Sequence, residues 1–170
     1  MFYISLLALI LAIIFFLFVA WYDFKNWKIK NRSVLILILI FIIHAFSAKL
    51  GEGSLGVLVD PIFSLFAGVI LFSIGFVLWI FKMLGAGDAK LLFPIGLFIS
   101  WESLVPFSVG LIIVGVVLFL LLKFPLPVVI KTTFIGMRLD EIRATKKIPY
   151  AVVMVIPTIF LIYVRYTSIL

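Results

Sequence analysis

From Phe2 to Tyr22 the chain runs without a single charged side chain, and apolar stretches of the same kind recur towards its end. A helix rises about 1.5 Å per residue, so such a stretch can cross the roughly 30 Å hydrocarbon core of a bilayer. Inside that core no water is available to the peptide groups. Each segment must satisfy its own backbone hydrogen bonds, which makes it a helix. Repetition of the pattern predicts an all-α polytopic membrane protein with six transmembrane helices. The composition agrees: 66% of residues are hydrophobic and the mean hydropathy is +1.44, more than any soluble core needs. Six spans with short connections fill the 170 residues, so residues 1–170 read as one membrane-embedded domain.

The spans are placed as follows. Span 1 covers about Phe2 to Tyr22 and span 2 about Val34 to Ala48. Span 3 covers about Val57 to Phe81, with an interruption expected near Asp60-Pro61. A short apolar segment, Ala89 to Ile99, is span 4; span 5 is Leu104 to Leu122 and span 6 Pro149 to Tyr166. A glycine-rich turn, Gly51-Glu52-Gly53-Ser54, joins spans 2 and 3. Residues 1–22 lack the basic start and the small-residue cleavage site of a signal peptide, so they read as a retained span.

Lysine and arginine are distributed unevenly. Lys25, Lys28, Lys30 and Arg32 follow span 1, Lys82 and Lys90 flank the turn before span 4, and Lys123, Lys131, Arg138, Arg143, Lys146 and Lys147 lie between spans 5 and 6. The alternate loops and ends hold only Lys49 and Arg165, with Glu52, Asp60 and Glu102. By the positive-inside rule the first set is cytoplasmic, in a plasma or inner membrane, and both termini face outward. The net charge of +7 is thus spread over membrane-adjacent loops, which argues against nucleic acid as a partner. The stretch Val128 to Arg143 mixes apolar and charged residues, and an interfacial helix on anionic headgroups is expected there.

Few side chains can carry chemistry. With no cysteine, disulfides, thiolate-ligated metals and a thiol nucleophile are excluded. His44 is the single histidine, too little for a metal site, and a hydrogen-bonded or interfacial role is expected for it. The expectation is therefore no metal and no organic cofactor. Two carboxylates remain at span ends on the cytoplasmic side: Asp23, beside Trp21 and Tyr22, and Asp88, in the turn Gly85-Ala86-Gly87-Asp88. Gly85 and Gly87 leave room for a peptide backbone to approach the acid. As a bare turn the same residues would make Asp88 a helix N-cap. Two acids facing one cleft can act as a dyad, one ionised and accepting a proton from water, the other protonated and polarising a carbonyl. Asp23 and Asp88 are the candidate catalytic residues. Lys90 is placed to orient substrate or favour the ionised acid, or else to snorkel to headgroups. Asn31 is placed to hydrogen-bond the loop or the dyad, or to cap span 2.

Three segments carry a family resemblance. Asp23-Phe-Lys-Asn-Trp-Lys-Ile-Lys-Asn31 resembles the first-aspartate motif of the type IV prepilin peptidases, with Lys30 where that family usually has proline. Gly85-Ala-Gly-Asp-Ala-Lys90, followed by Leu91-Leu92, resembles their second-aspartate motif, GxGD. Ile148-Pro149-Tyr150-Ala151 resembles a further element at the start of the last span. Order and spacing are similar to the short forms, those of tight-adherence pilus systems and archaeal preflagellin or pilin peptidases. The resemblance implies an aspartyl endopeptidase that removes the leader of a prepilin-like or preflagellin-like membrane substrate. The cysteine-bearing insert of the long enzymes is missing, so their N-methyltransferase activity is not expected.

Two other classes compete. A small transporter could use Asp23 and Asp88 to move protons or cations, but relays of that kind place acids near the bilayer midplane, not both at one end. A structural subunit without chemistry would have no use for three coincident motifs.

Overall fold

The computed structural model describes residues 2–50, 60–124, 133–145 and 148–167, and among these every regular element is helical. Helix α1 (Phe2–Asn26) turns through residues 27–30 into α2 (Asn31–Leu50). Helix α3 (Pro61–Ile80) leads through a turn to α4 (Ala86–Ile99), and a 3₁₀ turn (Trp101–Ser103) opens α5 (Leu104–Lys123). Helix α6 (Phe134–Thr145) precedes the last helix, α7 (Tyr150–Thr167). The Gly51–Ser54 turn, the first residues of span 3, Val128–Lys131 and Lys146-Lys147 lie outside the described residues. The interruption expected near Asp60-Pro61 is a helix start. Asp60 is the N-cap, its carboxylate accepts from the Ile62 N–H at 2.9 Å, and Pro61 occupies the first turn, where its missing N–H costs nothing.

Five helices, α1, α2, α3, α5 and α7, are long and apolar enough to cross a membrane. Helix α4, the expected span 4, has 14 residues. At about 1.5 Å per residue it falls short of a roughly 30 Å core. It is nevertheless consistent with an approximate sixth span, running from the end that carries Asp88 to the end where Arg165 meets Ile99, and it is the most enclosed of the described helices, with Leu91, Leu92, Ile95, Leu97, Phe98 and Ile99 all buried against α2, α3 and α7. Its tightest neighbour is α3. A Cβ placed on Gly96 would lie 2.5 Å from the Gly68 Cα, so the two backbones touch where both residues lack side chains. In a bilayer lipid tails are as apolar as leucine, and close backbone contact of this kind is what holds helices together.

The centre of the bundle is aromatic. Phe98 of α4 meets Phe16 of α1 and Phe41 of α2 edge-on, with ring centroids 5.5 and 5.3 Å apart. Beside them His44 is buried and fully partnered. Its Nδ1 is 2.9 Å from the Ser5 carbonyl oxygen and also 2.9 Å from the Ser5 Oγ, and its Nε2 is 2.7 Å from the Tyr166 hydroxyl. The imidazole thus ties α1, α2 and α7 together, which is the hydrogen-bonded one of the two roles expected for it. At the same end of the bundle Arg165 donates to the Ile99 carbonyl at 2.9 Å and closes the last turn of α4. Outward faces are apolar throughout; α5 buries only Phe107, and the rest of its length suits contact with lipid.

Candidate active site

The three motif segments meet at the opposite end of the bundle. Asp23 lies in the last turn of α1 and is only 5% exposed. Its Oδ2 accepts the backbone N–H of Ala151 at 3.3 Å. Ala151 belongs to the first turn of α7, where the N–H groups have no partner within the helix and the helix dipole favours a negative charge. The Pro149-Tyr150-Ala151 element therefore supplies a backbone donor to the first aspartate. No side chain advertises such a donor; the signals in the sequence are the proline that marks a helix start and the resemblance of the Ile148–Ala151 segment.

Asp88 sits one turn further into its helix than an N-cap. Gly85 is the N-cap of α4, and Asp88, three residues on, stands where the acidic residue of a capping box stands, with the Gly85 N–H favouring its charge. The glycine at the cap leaves the Asp88 carboxylate free to approach, since a Cβ on Gly85 would lie 2.6 Å from the Asp88 Oδ2 and push that carboxylate aside. Gly87 faces a different neighbour. A Cβ there would come within 3.1 Å of the Ile29 Cβ, so the GxGD turn lies directly on the loop that follows Asp23. Lys90 closes the same junction, its Nζ donating to the Asn31 Oδ1 at 3.2 Å. This bond joins the two aspartate segments and was not among the roles expected for Lys90 or Asn31.

Asp88 lies outside the five long spans, and its carboxyl is perturbed. Burial, then the charge of Asp23, push it up from the ordinary 3.8 to about 7, while the Gly85 N–H acts in the opposite direction. The charge of Asp23 is thus one of the two influences that raise Asp88. Two apolar grooves flank them. One, of about 220 Å³, lies between α3 and α4 and is lined by Phe72, Phe76, Trp79, Ala86, Ala89 and Lys90. The other, of about 310 Å³, runs along α1 and α7 and includes Trp21, Phe24 and Val152. Among the described residues no three His, Cys, Asp or Glu side chains come together.

Helix α6 turns two of its basic side chains onto the ends of neighbouring helices. Arg138 donates from Nε to the Phe24 carbonyl at 2.7 Å and from Nη2 to the Lys25 carbonyl at 2.8 Å. Arg143 donates to the carbonyls of Leu122 and Leu121, both at 2.9 Å, and to that of Phe124. Each guanidinium thus satisfies the last carbonyls of a long helix, α1 or α5, which those helices cannot satisfy themselves. A basic residue in a cytoplasmic-type loop has the same sequence signature whether it meets a headgroup or a helix end, so Arg138 was not legible as part of this site.

An apolar helical bundle with five helices long and apolar enough to cross a membrane is the architecture of a polytopic membrane protein. Residues 10–121 match the type IV leader peptidase family, a stretch that takes in both aspartate segments, and the chain belongs to that family. No curated protein and no solved structure matches it.

Proposed function

We propose that the chain is an aspartyl endopeptidase of the GxGD type. In this reading it removes the leader of a prepilin-like or preflagellin-like membrane substrate at the cytoplasmic boundary of the membrane. Membership of the leader peptidase family supports a protease. The observation that carries the finer reading is the pairing of Asp88, raised to about 7, with Asp23. Near neutral pH such a pair retains one proton between two acids. The ionised member takes a proton from water, and the protonated member donates to the scissile carbonyl and stabilises the charge that develops on its oxygen. Asp23 is read as the ionised partner, since its charge is among the causes that hold Asp88 up and the Ala151 N–H donates to it. Asp88 is the better acid.

The Lys/Arg asymmetry supports a cytoplasmic site, because the end that carries both acids is also the basic end. At that depth the enzyme meets the junction between a polar leader and an apolar helix. The substrate helix stays in the bilayer and its leader junction reaches the acids. Gly85 keeps a side chain away from the Asp88 carboxylate. The test is to mix the purified protein in detergent with a prepilin-type peptide, a basic leader followed by glycine and an apolar helix. One cut, located by mass spectrometry at the leader junction, is expected. Uncut peptide, or cuts scattered within the apolar helix, would defeat the reading.

A further inference from the structure

Helix α1 ends in a strained way. Trp27 adopts φ 57°, the left-handed region, and its N–H donates to the Asp23 carbonyl at 2.8 Å. This is the αL helix cap, a position usually held by glycine, and a side chain there costs on the order of 1 kcal/mol. Such a conformation persists only where its surroundings hold it. Arg138 does so from α6, with its guanidinium 4.5 Å from the centroid of the Trp27 ring. The same guanidinium bonds the Phe24 and Lys25 carbonyls, and Glu141 on the next turn of α6 pairs with it. The planar fork of arginine suits two neighbouring carbonyls and a stacked ring at once; a lysine ammonium does not. Phe24 and Lys25 directly follow Asp23, and the Trp27 cap bonds the backbone of Asp23 itself.

Resting on the peptidase reading above, we propose that Arg138 is a positioning residue. By locking the αL cap and the last carbonyls of α1, it holds the Asp23 carboxylate in register with Asp88. Arg143 provides an internal control. It makes the same kind of clamp five residues further along α6, but on the end of α5, which carries neither acid.

Two measurements on the whole protein in detergent test this. Arg138→Ala should lower kcat for a prepilin-type peptide on the order of tenfold to a hundredfold, the loss that misplacing a reacting group produces, with KM close to wild type. Arg138→Lys should stay near the alanine variant, because charge without the fork does not restore the clamp. Arg143→Ala should keep the wild-type kcat. In parallel, hydrogen exchange at the Trp27 amide should speed up about tenfold or more in both Arg138 variants and stay unchanged in Arg143→Ala. Wild-type activity with an equally active Arg138→Ala overturns the positioning role and leaves the peptidase reading intact. Full rescue by lysine, or an equal loss in Arg143→Ala, also overturns it. A wild-type protein that cuts nothing defeats the peptidase reading instead. Exchange is read without substrate, so an unchanged Trp27 amide overturns the clamp even in that case.

Discussion

Replacing Asp88 by asparagine should stabilise the protein while disabling it, and the gain should depend on pH in a defined direction. The carboxyl is raised from 3.8 to about 7 in the folded state. Below pH 4 both folded and unfolded chains hold the proton, and the acid is neutral in each. Between about 4 and 7 the unfolded chain ionises and the folded one does not, so folding stability falls as pH rises through this window. Above 7 the folded protein carries the buried charge and the cost is complete. A shift of just over three units at about 1.36 kcal/mol each sets a ceiling of about 4 kcal/mol. Asparagine fills nearly the same volume without the charge and escapes this cost. Thermal unfolding in detergent should therefore show Asp88→Asn melting several degrees above wild type at pH 8, with the two curves converging near pH 4. A variant no more stable at pH 8, or a difference of the same size at both pH values, would refute the account of Asp88 as a half-buried acid beside a second charge.

Three further outcomes are expected. Peptidase activity should fall as pH rises through about 7, because the proton on the Asp88 side of the pair is then lost; a rate that keeps climbing to pH 9 would contradict the assignment of the acid. Gly96→Ala should cost about 1–3 kcal/mol, since its Cβ would meet the backbone of Gly68 and Ala67 at 2.5–2.6 Å and force α3 away from α4; an unchanged melting temperature would show that this contact is not tight. Chelating agents should leave peptide cleavage intact, because cysteine is absent and the one histidine is committed to Ser5 and Tyr166; abolition reversed by added metal would refute this.

Much of the fold is legible from hydropathy, and the reason is physical. An uncharged run of bilayer length has one way to satisfy its backbone, so α1, α2, α3, α5 and α7 follow closely from the apolar runs. Helix α4 shows where that reasoning stops. Lipid-facing and protein-facing positions are equally apolar, so the sequence pattern does not reveal that the shortest segment is the most enclosed one. The acids are legible because an ionisable group is costly near lipid and stands out against the apolar background. Their supports are not. The donor to Asp23 is a backbone N–H, the cap at Gly85 depends on a fold-dependent turn, and Trp27 adopts a conformation its residue type disfavours. Lys90 and Asn31 could be picked out as polar residues near the acids, but only the structure joins them to each other.

The central claim, that Asp23 and Asp88 work as one unit, is tested most directly by comparing Asp23→Asn, Asp88→Asn and the double variant in the same cleavage assay. Groups that act together are strongly non-additive when removed. The account predicts that each single variant stays folded yet loses leader cleavage, and that the double variant is no worse than either. Full cleavage by either single variant, or losses that multiply in the double variant, would contradict it.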